Sequence, residues 1–186
     1  TKTSYLATVT ATDGTNSSTQ NITVTITDVD DTAPVFTSSA SFSAAENQTS
    51  IGTVTATDVD TDNTSITFSI SGSELSITSG GVLTFASAPD YETKTSYSAT
   101  VTATDGTNSS AQDITVTVTN ANDNTPSITS SSTFSVVENQ TAIGTITATD
   151  DDGDTLSYSL SGTDASAMSI NSSSGVLVFA SAPDYE

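Results

Sequence analysis

The sequence predicts an all-β fold of tandem Greek-key β-sandwiches. Three observations carry this: side chains alternate with period two, the repeat unit has domain length, and turn signals recur at strand spacing. In Ala7–Thr12, Val9 and Ala11 alternate with Thr8, Thr10 and Thr12, and in Asn21–Thr27 Ile22, Val24 and Ile26 alternate with threonines. Such a strand is half buried, with its apolar face inward and its threonines outward. No stretch has helical periodicity. The segment ATVTATDGTNSS occupies 7–18 and returns unchanged at 99–110, 92 residues later. The same offset relates Pro34 to Pro126, Phe42 to Phe134, Glu46 to Glu138 and Asp58 to Asp150. Near the end GVLTFASAPDYE (81–92) returns as GVLVFASAPDYE (175–186), now offset by 94. A unit of about 90 residues is a whole domain rather than a solenoid turn.

Each element of the middle unit follows from that alternation and from turns such as Asp13-Gly14 and Asp105-Gly106. Strands are expected at 35–44, 51–57, 66–71, 75–78, 82–86, 97–104 and 114–119. Seven short antiparallel strands in under 100 residues fit a Greek-key sandwich. Its expected core is Phe42, Val54, Ala56, Ile66, Phe68, Ile70, Leu83, Phe85, Tyr97, Val101, Ile114, Val116 and Val118. The expected division is 1–31 as the last two strands and linker of a preceding repeat, 32–123 as a complete domain with its linker, and 124–186 as the first five strands of a following repeat. The sequence opens inside the pattern and so reads as a fragment of a longer array.

Composition narrows the chemistry. Lys2 and Lys94 stand against 22 acidic residues, a formal charge of −20 in 186 residues. Nucleic acid is not an expected partner, because nothing here neutralises phosphates. Anionic membranes are excluded in the same way, and no apolar run is long enough for insertion. Cysteine and histidine are absent, which removes disulfides, zinc-thiolate sites and the common nucleophile systems. The remaining donors are Asp, Glu, Asn and carbonyl oxygens, which suit a hard cation such as Ca2+.

The acids recur at fixed places. Asp28, Asp30 and Asp31 lie between units, where the next copy has Asn122, Asp123 and Asn124. Asp58, Asp60 and Asp62 follow the second strand, as do Asp150, Asp152 and Asp154. Glu46 or Glu138, after the first strand, is matched with Asp90 and Glu92 or Asp184 and Glu186, after the fifth. In an up-and-down count the last of these groups lies at the bottom of a domain beside the outgoing linker. Asp58, Asp60 and Asp105 lie at the top beside the incoming one. Each junction therefore gathers carboxylates that repel one another unless a cation relieves them. Asp and Asn also populate ordinary turns, but that does not explain glutamates in matching loops of both copies.

These motifs resemble the cadherin repeat, in the divergent form of large bacterial surface proteins. Glu46-Asn47-Gln48 and Glu138-Asn139-Gln140 stand for PEN, Asp58-Val59-Asp60 and Asp150-Asp151-Asp152 for DxD, and Pro89-Asp90-Tyr91-Glu92 for the LDRE loop. Ala103-Thr104-Asp105-Gly106 is similar to AxDxG, and Asn120-Ala121-Asn122-Asp123-Asn124 to the DxNDN linker. The resemblance implies immunoglobulin-like sandwiches of cadherin type, with calcium ions stiffening each junction. It implies Glu46, Asp90, Glu92, Asn122, Asp123, Asn124, Asp150 and Asp152 as ligands at the second junction. At the first it implies Asp28, Asp30, Asp31, Asp58, Asp60, Asp105 and Asn63, the last through its carbonyl. Asp13 is the counterpart of Asp105, and Glu138, Asp184 and Glu186 would face a further linker. Asn120, Thr32 and Gly153 depart from the family pattern, so the junctions are expected to differ in affinity.

The expected function is structural: a calcium-rigidified stalk of a secreted or surface-displayed bacterial adhesin, and not an enzyme. Its expected partners are neighbouring copies of itself. A repeat without its last two strands exposes a core face and a raw sheet edge, and the missing hairpin is present at the other end. Head-to-tail complementation in trans is therefore expected. The alternative is a carbohydrate-binding or homophilic adhesion module engaging polysaccharide or other copies. An exposed aromatic patch would mark it, and the sequence offers none. Asp90 and Glu92 could serve glycoside hydrolysis, but no tryptophan platform accompanies them.

Overall fold

A computed structural model describes residues 2–60 and 66–186 and is all-β, with a single 3-10 turn at Ala165–Ala167 among the described residues. The chain divides into two compact units, Thr1–Phe42 with Thr49–Ser87 and Ser96–Thr117, and Ser43–Gln48 with Ala88–Thr95 and Val118–Glu186.

The first unit opens with a hairpin of β1 (Ser4–Thr12) and β2 (Ser17–Thr25), paired from Ser4↔Thr25 to Thr12↔Ser17. These two strands form a sheet of their own. A sandwich follows: β3 (Val35–Phe36), β4 (Ser41–Ala45), β5 (Ser50–Thr53), β6 (Ala56–Thr57), β7 (Thr67–Ile70), β8 (Leu75–Ile77), β9 (Val82–Phe85), β10 (Ser96–Thr104) and β11 (Ser109–Thr119). One sheet runs β4-β11-β10-β7, another β5-β9-β8, and β3 pairs with β6. Two expected strands are each divided. The segment expected as 35–44 becomes β3 and β4, which join different sheets, and 51–57 becomes β5 and β6. A register shift between Ser50 and Gly52 accompanies the second break. A bulge that bends a strand lets one segment serve two sheets, and alternation alone does not encode it. β11 also starts five residues before the expected 114, because its first half pairs with β10 down to the Asp105 turn.

The core sits between the sheets. Val54, Ile66, Leu83, Phe85, Val101, Ile114, Val116 and Val118 are buried as expected, joined by Leu75, Ala103 and Ala44. Phe42, Ala56, Phe68, Ile70 and Tyr97 are only half buried. Gly81 holds φ +87°, and a Cβ there would collide with the Val54 carbonyl oxygen. Val54 N–H donates to Gly81 C=O at 2.8 Å, so neither strand can move away freely. Gly81→Ala should cost roughly 2 kcal/mol or more, read as a lower melting temperature in a circular-dichroism melt.

The second unit carries β12 (Ser127–Ile128), β13 (Ala142–Thr145), β14 (Ala148–Thr149), β15 (Met168–Ile170) and β16 (Val176–Phe179). Its sheets are β12-β14 and β13-β16-β15, the counterparts of β3-β6 and β5-β9-β8. The segments matching β4 and β7, around 133–137 and 157–160, are not in strand conformation. In the middle repeat β4 pairs with β11 and β7 with β10. A strand is defined by its partner, and neither segment is paired in a sheet among the described residues.

Candidate functional site

Glu46 organises the acidic centre of the second unit. It ends β4, at the turn where Asn47 takes the left-handed φ of 61°, a conformation that asparagine tolerates better than most residues. The residue is 4% exposed. Oε2 accepts the Tyr91 N–H at 2.7 Å, and Oε1 accepts the Ala121 N–H at 2.7 Å. One side chain thus ties the loop after β9 to the outgoing linker. Asn47 adds a side-chain hydrogen bond to Asp123 and a backbone one to Pro89 C=O.

The linker is held from the other side by Asp152. Its Oδ2 accepts the N–H groups of Asp123 at 3.1 Å and Asn124 at 2.8 Å, and its Oδ1 accepts from the Asn124 side chain at 3.0 Å. The Asn122 side chain donates to Asp154, and that of Asn120 to the Asp152 carbonyl at 2.8 Å. As a result one carboxylate oxygen from each of Glu46, Glu92, Asp123 and Asp152 lies within 4.8 Å of the others. Asp150, Asp152 and Asp154 form a second such group. The electrostatics follow the geometry: lost hydration, and then the charges of Glu46 and Asp152, push Glu92 above its ordinary range. Asp152 is held below its own, chiefly by the Asn124 side chain.

The same hold on a linker appears in the first unit. Asp60 Oδ2 accepts the N–H groups of Asp31 at 3.3 Å and Thr32 at 2.8 Å, and Thr32, its side chain foremost, lowers the Asp60 pKa. The Asn108 side chain donates to both the backbone and the side chain of Asp30 at 3.3 Å. Asp105 Oδ1 closes its own turn on Thr107 and Asn108, while its Oδ2 is buried without a hydrogen-bond partner. Asp13 makes the same turn with Thr15 and Asn16, which lowers its pKa through the Asn16 N–H first.

Other expected ligands are not gathered. Asp90 turns to its own loop, accepting from the Thr93 hydroxyl at 2.7 Å. Asp28 is exposed. Glu138 accepts the Tyr185 N–H at 3.0 Å and Asp184 the Glu186 N–H at 3.4 Å. Asn63 lies outside the described residues, as does Asp62. The asparagines that hold the linkers, Asn47, Asn108 and Asn120, were not among the expected ligands. Two of them carried a repeat signal: Asn108 recurs as Asn16 after the matching Asp-Gly turn, and Asn47 as Asn139 after the matching glutamate; Asn120 had none. The donors at the second junction are all oxygen and densely placed, and so fit a hard divalent cation.

Residues 39–119 match the cadherin domain family. Among solved structures, a protocadherin gammaB7 EC3-6 cis-dimer is 29% identical with a TM-score of 0.81, covering 98% of this chain and 53% of that one. Protocadherin gamma B2 extracellular cadherin domains 3-6 are 28% identical with a TM-score of 0.74, covering 99% and 52%. Mouse cadherin-23 EC22-24 is 26% identical with a TM-score of 0.71, covering 98% and 65%. The chain thus spans about half the length of the first two. No curated protein sequence matches it. Among the described residues no helix is long and apolar enough to cross a membrane.

Proposed function

We propose that this chain is a calcium-rigidified structural stretch of an extracellular adhesive protein, of the stalk type displayed by bacteria. The observation that carries this reading is the convergence of Glu46, Glu92, Asp123 and Asp152, drawn from two loops at one end of a sandwich, a linker, and a loop of the next repeat. Four carboxylates this close repel one another. Calcium bound among them supplies charge neutralisation and takes up six to eight oxygens. Asn122, Asn124, Asp150 and Asp154 complete the donor set, and Asp90 stands in the same loop as Glu92. At the first junction the corresponding set is Asp28, Asp30, Asp31, Asp58, Asp60, Asp105 and Asn63. Cadherin domains generally bind calcium and are extracellular adhesion modules rather than enzymes, which supports the reading. Hydrogen bonds from Glu46 on one side and Asp152 on the other hold the linker, which supports a stalk role.

The 186-residue polypeptide also assembles head to tail. Its β1–β2 hairpin shares the alternation of β10–β11, yet Val9 is 49% exposed where Val101 is 0%, and Ile22 is 41% exposed where Ile114 is 1%. In the second unit a groove of about 1000 Å³ opens over Phe134, Ile146, Tyr158, Leu160, Ile170 and Leu177. In the middle repeat the corresponding β10–β11 side chains Val101, Ile114, Val116 and Val118 are buried. The β1–β2 hairpin of a second copy fills this groove by strand addition, and because the contact does not close, copies chain into a filament.

Calorimetric titration of chelator-treated protein with calcium tests the site. Heat corresponding to several ions per chain supports the reading. Absence of heat would make these aspartates ordinary turn residues and overturn it.

A further inference from the structure

The turn between β10 and β11 reads Asp105-Gly106-Thr107-Asn108. It closes on itself. Asp105 Oδ1 accepts the N–H groups of Thr107 and Asn108, both at 2.7 Å. The Asn108 carbonyl in return accepts the Asp105 N–H at 3.3 Å and the Thr104 hydroxyl at 2.8 Å. At Asn108 all of these bonds use the backbone, so the turn makes no demand on its side chain.

That side chain reaches the incoming linker instead, 78 positions back. Nδ2 lies 3.3 Å from the Asp30 carbonyl oxygen and 3.3 Å from Asp30 Oδ1. Carbonyl and ionised carboxylate oxygens only accept, so the amide presents its NH2 end, and its two N–H groups match the two oxygens. Two residues on, the Ser110 hydroxyl donates to the Pro34 carbonyl at 2.5 Å. Pro34 is itself fully buried, which anchors the end of the linker. Between these points Asp60 Oδ2 accepts the N–H groups of Asp31 and Thr32.

The holds differ in what they touch. Asp60 and Ser110 grip the backbone, which a linker of almost any sequence offers. Asn108 also grips a side chain, the Asp30 carboxylate. At the other end of the same turn, Asp105 Oδ2 is buried without a hydrogen-bond partner, an acceptor still open to a cation.

We infer that Asn108 is a positioning residue: its amide fixes the Asp30 carboxylate for calcium and does not itself touch the ion. The inference rests on the calcium reading above and adds to it a residue outside the ligand set. With the amide in place, the freedom of the Asp30 side chain is lost on folding, and calcium meets an oxygen already ordered. Without it, the carboxylate must be ordered when the ion binds. Affinity then falls while the sandwich stays intact.

Hydrogen exchange at the Asp31 and Thr32 amides, followed through a calcium titration, tests this, because these two groups report the first linker. In wild-type protein both amides should become more protected as calcium rises. Asn108→Ala should move the midpoint of that rise about tenfold toward higher calcium, the usual loss when a group that orients a metal ligand is removed. Its melting temperature in chelator should match wild type, since the bonds of the turn run through the backbone. Asn108→Asp keeps the shape, removes the donor and adds a carboxylate. Positioning predicts a shift in the same direction as Asn108→Ala, whereas a ligand role for the Asn108 oxygen predicts tighter binding. An unshifted midpoint for Asn108→Ala, tighter binding by Asn108→Asp, or a lower melting temperature of Asn108→Ala in chelator overturns the positioning role and leaves the calcium reading standing. Wild-type amides at Asp31 and Thr32 that do not respond to calcium overturn calcium binding at this junction and the positioning role with it.

Discussion

Glu46→Ala is expected to lower the melting temperature by about 10 °C or more in calcium and by much less in chelator. The side chain is buried and satisfies two backbone donors, Tyr91 N–H and Ala121 N–H. Truncation strands both. An unsatisfied buried donor costs about 1–3 kcal/mol, and 1 kcal/mol moves the midpoint of a domain of this size by roughly 4–8 °C. The charge works in the opposite sense. Without a cation, Glu46 is one of four carboxylates crowded within 4.8 Å, so its removal relieves repulsion and offsets part of the loss. With calcium bound, repulsion is already relieved, and removal also takes away a ligand. Calcium stabilises by its preference for the folded form, so the gap between melts in calcium and in chelator should shrink in the variant. An unchanged gap would mean that Glu46 is a structural clasp alone and that ions, if bound, sit elsewhere.

The clasp shows what a sequence can and cannot state. The glutamate was legible because it recurs 92 residues later in a loop, where turn chemistry does not call for it. Its pairing with Glu92, Asp123 and Asp152 followed from counting strands up and down. What it does with its oxygens was not legible: the partners are backbone N–H groups, which every residue has. The asparagines escaped for a related reason. Asn is common in turns, so Asn108 reads as turn filler until its side chain is seen reaching Asp30. In the fold, alternation located every strand of the middle repeat but not the breaks inside two of them. Val35 and Ser41 obey the same period although they belong to different sheets. A switch between sheets is a property of the partners, and the partners lie far away in sequence.

The same dependence on partners governs the largest effect expected of this polypeptide. Deleting 1–27 should abolish assembly while leaving the middle repeat folded, because no residue of β1 or β2 is buried in the chain. Under the proposed complementation Val9, Ile22, Val24 and Ile26, all exposed in the single chain, would take the places held in the middle repeat by the buried Val101, Ile114, Val116 and Val118. Each contributes on the order of 1.5–3 kcal/mol when fully buried, before the cost of association. A lone two-stranded hairpin is marginal in water, so β1–β2 gains order as well as contacts. A synthetic peptide of residues 1–31 added to the deleted chain should fill the groove over Phe134 and Leu177. It should convert 133–137 and 157–160 into paired strands, which hydrogen exchange reads as new amide protection at those positions. It should also cap wild-type filaments and shorten them, which sedimentation velocity reads as a fall in mean size with peptide concentration. Filaments that form undiminished without residues 1–27 would place the joint elsewhere. In that case the exposed apolar face of the hairpin would need a different partner, and the open groove a different occupant.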